Sequence, residues 1–162
     1  MKGITMALLC AALFLPAIAF PSAAEAAPAH ESGATFRDVE GREWILLELR
    51  RPAETVRMDR ETLAAYGMAE AYTINFQGGR VSGMGAPNRY FGPYTVGSNR
   101  VLRIGDMAST LMLALVEPEG LREHEYFAYL SRVTRWDLRN GRLELHTSSD
   151  DGNDAVLVFV PN

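Results

Sequence analysis

The sequence predicts a mainly β, α+β single domain with one packed helix, whose antiparallel sheet curves strongly or closes into a small barrel. Three observations lead there. Short apolar segments are separated by turn chemistry at Gly78-Gly79, Gly97-Ser98-Asn99 and Asn140-Gly141, the punctuation of hairpins rather than of helical crossovers. Only one stretch, about 118–133, keeps a helical period, set by Tyr126, Phe127, Leu130 and Val133 on one face. The length suits one domain with one core.

Taken in order, the chain opens Met-Lys-Gly and then runs from Ile4 to Phe20 without a charge. A cationic start, an apolar stretch and a small-x-small site predict a signal peptide over 1–26. Cleavage is expected after Ala24-Glu25-Ala26, with Ala17-Ile18-Ala19 as second choice. A retained anchor is the rival, but the apolar run is slightly short of a span and Pro16 interrupts it. Leu8-Leu9-Cys10 is a poor lipoprotein site because Leu9 is not small. Cys10 is the only cysteine, so the mature chain would have no disulfide, thiol chemistry or cysteine metal site. The expected location is periplasmic or secreted.

Residues 27–38 are small and polar and are read as a disordered leader, with the domain over 39–160. The first strand is expected at Arg42–Leu49. Pro52 ends it, and Asp59 caps a short helix Arg60–Tyr66 with Leu63 and Tyr66 facing inward. Ala71–Phe76 alternates, and Gly78-Gly79 turns it into Arg80–Met84. Pro93–Val96 and Arg100–Ile104 form the next hairpin, followed by an apolar strand Ser109–Leu115. Pro118–Val133 is the helix, with acids crowding its start and Arg132 in its last turn, the order its dipole favours. Arg135–Leu138 and Arg142–Thr147 flank Asn140-Gly141, Asp150–Asp154 is a polar turn, and Ala155–Val160 closes the sheet.

The chain resembles the META domain family, which includes the HslJ heat-shock protein. The likeness rests on Trp44, Tyr72-Thr73-Ile74-Asn75-Phe76 and Gly79-Arg80-Val81-Ser82-Gly83. It continues through Asn88-Arg89-Tyr90-Phe91-Gly92-Pro93-Tyr94, Leu102, Ile104-Gly105, Ser109-Thr110 and Met112. Glu125-Tyr126-Phe127, Leu130 and Gly141–Leu145 complete it, so that it spans about Val39–Phe159. Where many members carry cysteines this chain has Pro87 and, approximately, Ala114, and its Arg51–Gly67 segment is longer. The resemblance implies a compact β fold, export or envelope association and a link to stress tolerance. It implies no reaction.

The glycine- and aromatic-rich loop at 83–94 is the candidate site. Asn88 would either bond a ligand or set the turn through its own backbone, the commoner role of turn asparagines. Arg89 is a candidate anion contact or partner anchor. Tyr90, Phe91 and Tyr94 would form either an aromatic wall for a ligand or a core plug at the open end of the sheet, and for Phe91 the core plug is expected. Gly83, Gly85 and Gly92 are read as positions needing positive φ or close approach, and Thr110 and Met112 as core.

No catalytic set emerges. His30, His124 and His146 do not converge, HExxH spacing is absent, and no Gly-x-Ser-x-Gly elbow or Gly-Lys-Ser/Thr phosphate loop occurs. Asp150–Asp154 lacks the calcium-loop spacing. No cofactor and no metal are expected. A net charge of −4 gives no electrostatic reason to bind nucleic acid or anionic membrane, and no membrane span is expected after cleavage. The expected function is non-enzymatic partner binding through the 83–94 loop, the partner being an unknown envelope protein or a small ligand. A ligand-carrying barrel is the alternative and a hydrolase a distant third.

Overall fold

The computed structural model describes residues 33–114, 116, 118–149 and 152–162. The expected signal peptide, the leader as far as residue 32 and Asp150-Asp151 lie outside the described residues.

Strands β1 (Glu43–Arg50), β3 (Thr73–Gln77), β4 (Arg80–Met84), β5 (Arg89–Val96) and β6 (Leu102–Ile104) form one run of the sheet. On the other side of β1 come β10 (Val156–Pro161), β9 (Arg142–Thr147) and β8 (Val133–Arg139), giving the order β6-β5-β4-β3-β1-β10-β9-β8. Every pairing is antiparallel. Two short strands lie off this path, β2 (Thr55–Arg57) on β1 and β7 (Ala108–Ser109) on β5. Val101 bridges to Arg135, and the Trp136 N–H donates to the Arg100 carbonyl at 3.0 Å. That seam brings β6 to β8 and nearly closes the barrel, removing most of the exposed edge of an open sheet.

The interior is filled by side chains. Trp44, Phe76 and Phe159 are fully buried, and Leu46, Ile74, Leu102 and Leu143 fill between them. Trp44 also donates its indole N–H to the Val39 carbonyl at 2.9 Å, satisfying its polar atom inside the core. Helix α2 (Glu123–Ser131) packs Tyr126 and Leu130 into this core.

The hairpin chemistry is as expected. Asn140 and Gly141 have φ of 51° and 71°, the doubly left-handed turn whose twist matches the flanking strands. Asp59 caps α1 (Arg60–Ala65) by accepting from the Thr62 N–H at 3.0 Å, and that bond holds its carboxyl below the usual range.

Five expectations need correction. Residues 36–38 form a 3-10 turn rather than disordered leader, because Phe36 enters an aromatic cluster with Phe76, Tyr94 and Trp136 at centroid distances of 5.2–5.5 Å. Tyr66 is 60% exposed: α1 stops at Ala65 and the chain turns away at Gly67, where φ is +74°. The long helix expected over 118–133 is only Glu123–Ser131, since Gly120 at φ +80° turns the chain and β8 begins at Val133. The strand expected over Ser109–Leu115 is only Ala108–Ser109, because β5 starts at Arg89 and offers no further main chain to pair with. Phe91 is 47% exposed rather than a core plug, because strand alternation sends Tyr90 in and Phe91 out.

Candidate functional site

The turn Gly85–Asn88 joins β4 to β5 and contains a cis Ala86–Pro87 peptide bond. Asn88 follows it and is 5% exposed. Its side chain does not bond its own turn. Oδ1 accepts from the Met112 N–H at 2.6 Å and from the Thr110 hydroxyl at 2.8 Å. Nδ2 donates to the Met112 carbonyl at 3.1 Å. The amide thus pairs with both main-chain groups of Met112 as another strand would, extending the β5–β7 ladder by one rung after the backbone has run out.

The remaining Nδ2 proton goes to Glu123. The Glu123 Oε2 atom accepts from Asn88 Nδ2 at 2.6 Å, and Oε1 accepts from the Ala86 and Asn88 N–H groups at 2.7 and 2.6 Å. Glu123 is the first residue of α2, where an acid also complements the helix dipole. One asparagine and one glutamate therefore tie three pieces together: the β4–β5 turn, the helix and the segment after β7. Gly85 permits the approach, since a Cβ there would stand 2.5 Å from Glu123 Oε1 and 2.8 Å from Phe127 Cζ.

A second buried group stands behind this turn. The Tyr90 hydroxyl donates to the Thr73 carbonyl at 2.9 Å, and the Tyr126 hydroxyl lies 3.2 Å from both that carbonyl and the Tyr90 oxygen. Burial pushes both phenols up, Tyr90 well above its ordinary value. Gly83 makes room for them, because a Cβ there would lie 2.0 Å from the Thr73 carbonyl oxygen and 2.9 Å from the Tyr90 hydroxyl. Tyr72 takes φ 60°, a costly conformation for a non-glycine residue. Its hydroxyl donates to the Leu121 carbonyl, and its ring meets Tyr126 edge-on at 5.1 Å. The Arg60 guanidinium donates to the carbonyls of Ala71, at 2.7 Å, and Leu46, and burial lowers its pKa.

The sequence-level site therefore divides. Tyr90 and Tyr94 are buried, the Tyr94 hydroxyl donating to Glu40. Burial first, and that bond second, push the Tyr94 phenol up to about 12. Arg89 is exposed. Phe91, also outward, lies under the Arg80 guanidinium at 4.3 Å. Thr110 and Met112 are surface residues rather than core: Thr110 is exposed and Met112 is 61% exposed. Gly83, Gly85 and Gly92 all serve close approach, Gly92 facing Asp106 and Met107 at 3.0 Å. Glu123 is the residue that sequence reasoning passed over, because acids at a helix start have an ordinary explanation in the dipole.

The other charged centre is structural. Asp137 on β8 is fully buried and accepts from Arg100 and from Arg139, whose Nε lies at 2.8 Å, with Arg135 at 3.5 Å. His146 is half-buried, 3.8 Å from Glu144, and burial lowers its pKa against the pull of that acid. His124 is exposed. Among the described residues no three His, Cys, Asp or Glu side chains are placed to hold a metal ion. A cleft of about 310 Å³ lies between Ile104–Ser109 and α2, with Tyr90, Asp106, Met107 and Phe127 in its lining.

Fold and site together define a small antiparallel β-barrel domain, capped by one helix, whose signature loop is pinned from within. The chain belongs to the META domain family, which matches residues 37–161. It is similar in fold to the NMR structure of a protein from Burkholderia xenovorans, with TM-score 0.63 and 18% identity over 90% of this chain and 98% of that one. A DUF4847 family protein from Bacteroides vulgatus, solved by crystallography, is similar at TM-score 0.52 and 12% identity, over 80% of this chain and 98% of that one. No curated protein sequence matches the chain.

Proposed function

We propose that this protein is an exported, non-enzymatic domain of the cell envelope that contributes to stress tolerance by holding a partner at the rim formed by the 83–94 loop and the segment it pins. The observation that carries the reading is the direction of the side chains. Buried polar groups in the loop are spent on the protein itself, while Arg89, Phe91, Leu111, Met112 and Leu113 are exposed. Exposed aromatic and apolar side chains beside an arginine are the composition of an interaction surface.

Export is supported by the charged start, the uncharged run Ile4–Phe20 and the Ala24-Glu25-Ala26 site. The non-enzymatic reading is supported by the bonding of Asn88, Thr73 and Asp137, each engaged within the fold, and by the place of the hydroxyl–carboxylate contacts Thr62–Asp59 and Thr35–Asp38, which cap short helical turns. The carrier alternative finds an interior already occupied by Trp44, Phe76 and Phe159, so its ligand would sit in a surface cleft such as that beside Met107.

The test is complementation of a deletion strain with wild type or with Arg89→Ala/Phe91→Ala, both sites being outward, combined with crosslinking in the envelope. The expected result is a normally folded double variant that restores neither stress tolerance nor the crosslinked species. Unchanged complementation and crosslinks would overturn the assignment. Turnover of an ester, peptide or glycan that one side-chain change abolishes would overturn the non-enzymatic reading.

A further inference from the structure

The run Ala108–Ala114 is Ala-Ser-Thr-Leu-Met-Leu-Ala, without a charge or a proline. Its first half pairs with β5 through Ala108 with Phe91 and Ser109 with Tyr90. The Thr110 N–H then donates to the Arg89 carbonyl at 3.0 Å, and Asn88 holds both main-chain groups of Met112. Along an extended chain, successive residues turn their N–H and C=O groups to opposite sides. With Ala108, Thr110 and Met112 turned toward β5, those of Ser109, Leu111 and Leu113 point away from the barrel. No hydrogen bond joins the main chain of Leu111 or Leu113 to another described residue. Their side chains are 98% and 86% exposed.

Sheet proteins ordinarily blunt such an edge with a charge, a proline, a bulge or a covering element. None of the first three stands in this run, and the bonds of Thr110 to Arg89 and of Met112 to Asn88 hold alternate residues of it against β5. We infer that Ser109–Leu113 is a docking edge for an extended strand of another protein, apolar through its middle and acidic at one end. Main-chain hydrogen bonds would add it to the edge, and exposed Arg89 on the neighbouring strand would receive the acid. This rests on the partner-binding reading above and specifies the partner's chemistry.

A second copy of the chain fits less well. The edge is about 17 Å long at roughly 3.4 Å per residue. Two copies meeting along it would bury only a few hundred Å² each, short of the roughly 800 Å² per partner of a stable interface. Each copy also carries a net charge of −4. A short peptide strand needs no larger footprint.

The probe is a library of short random peptides displayed on phage and selected against the purified full chain. Affinity of an enriched peptide is read by fluorescence anisotropy, and its position by amide hydrogen exchange. The expected peptide slows exchange at Leu111 and Leu113. N-methylation of its alternate residues weakens binding about tenfold or more, the loss expected for two hydrogen bonds. Leu111→Pro, which removes an unpaired N–H, does the same, while Leu111→Ala keeps most of the affinity. Failure to enrich any peptide, or equal binding of the N-methylated form, overturns the inference whether or not Leu111→Pro folds. A concentration-dependent dimer abolished by Leu111→Pro also overturns it, because the occupant is then a second copy. If the peptide tests fail while Arg89→Ala/Phe91→Ala still loses its crosslinked species, strand docking falls and partner binding stands.

Discussion

Replacing Asn88 with alanine removes four bonds at once, and the structure says which of them matter. The Nδ2 bond to Glu123 is charge-assisted, part-buried and 2.6 Å long, and a bond of that kind contributes about 1.5–3 kcal/mol. The bonds to Thr110 and Met112 count for less, because both residues are exposed and water can replace the lost partner. The expected cost of Asn88→Ala is therefore about 2–3 kcal/mol, with each outer bond adding only a few tenths. Urea unfolding followed by circular dichroism measures it. Asn88→Asp sharpens the test by exchanging the donor for a second carboxyl against Glu123 Oε2. That pair must share a proton, so the folded state binds more protons than the unfolded one. Stability of this variant should be lowest at neutral pH and recover as pH falls toward about 5. A cost for Asn88→Ala below about 0.5 kcal/mol, or an Asn88→Asp protein indifferent to pH, would refute the reasoning.

Three further outcomes follow from the same geometry. Gly83→Ala places a Cβ 2.0 Å from the Thr73 carbonyl oxygen, a clash that backbone must absorb; a loss of about 3 kcal/mol or more, or failure to fold, should appear in thermal melts. Asp137→Asn leaves Arg139 and Arg100 without their buried acid and should cost about 3–5 kcal/mol, with faster amide exchange at Trp136 as the seam loosens. At the alkaline end, Tyr94 titrates at about 12 in the fold but near 10 when unfolded. The folded state holds the proton longer, so stability should fall as pH rises from about 10 to about 12, by at most about 1.4 kcal/mol per pH unit from this tyrosine. Tyr94→Phe should remove that share of the slope in urea midpoints measured across the range, leaving what Tyr90 and Tyr126 contribute.

Much of the fold was legible because its signals are local. Asn140-Gly141, Gly78-Gly79 and the Asp59 cap each act within a few residues, and each does what its chemistry predicts. The alternation Arg89–Tyr94 was equally readable for Phe91, whose outward place follows from the inward places of Tyr90 and Tyr94. What could not be read depends on distant partners. Asn88 looks like a turn asparagine because its real partners, Met112 and Glu123, lie 24 and 35 residues away. The apolar run after Ser109 has the composition of a strand, but pairing needs a neighbouring backbone that the start of β5 at Arg89 does not supply. Gly120 turns the chain before α2, where a row of glutamates had suggested helix from Pro118 onward.

Amide hydrogen exchange along residues 109–113 of the free protein tests the clamp and its bare edge most directly. Protection should alternate: Thr110 and Met112 slow, because Arg89 and Asn88 accept from them, and Leu111 and Leu113 exchanging near the rate of an unstructured chain. A Met112 amide as fast as its neighbours, or a protected Leu111, would contradict the pinned loop on which the functional reading stands.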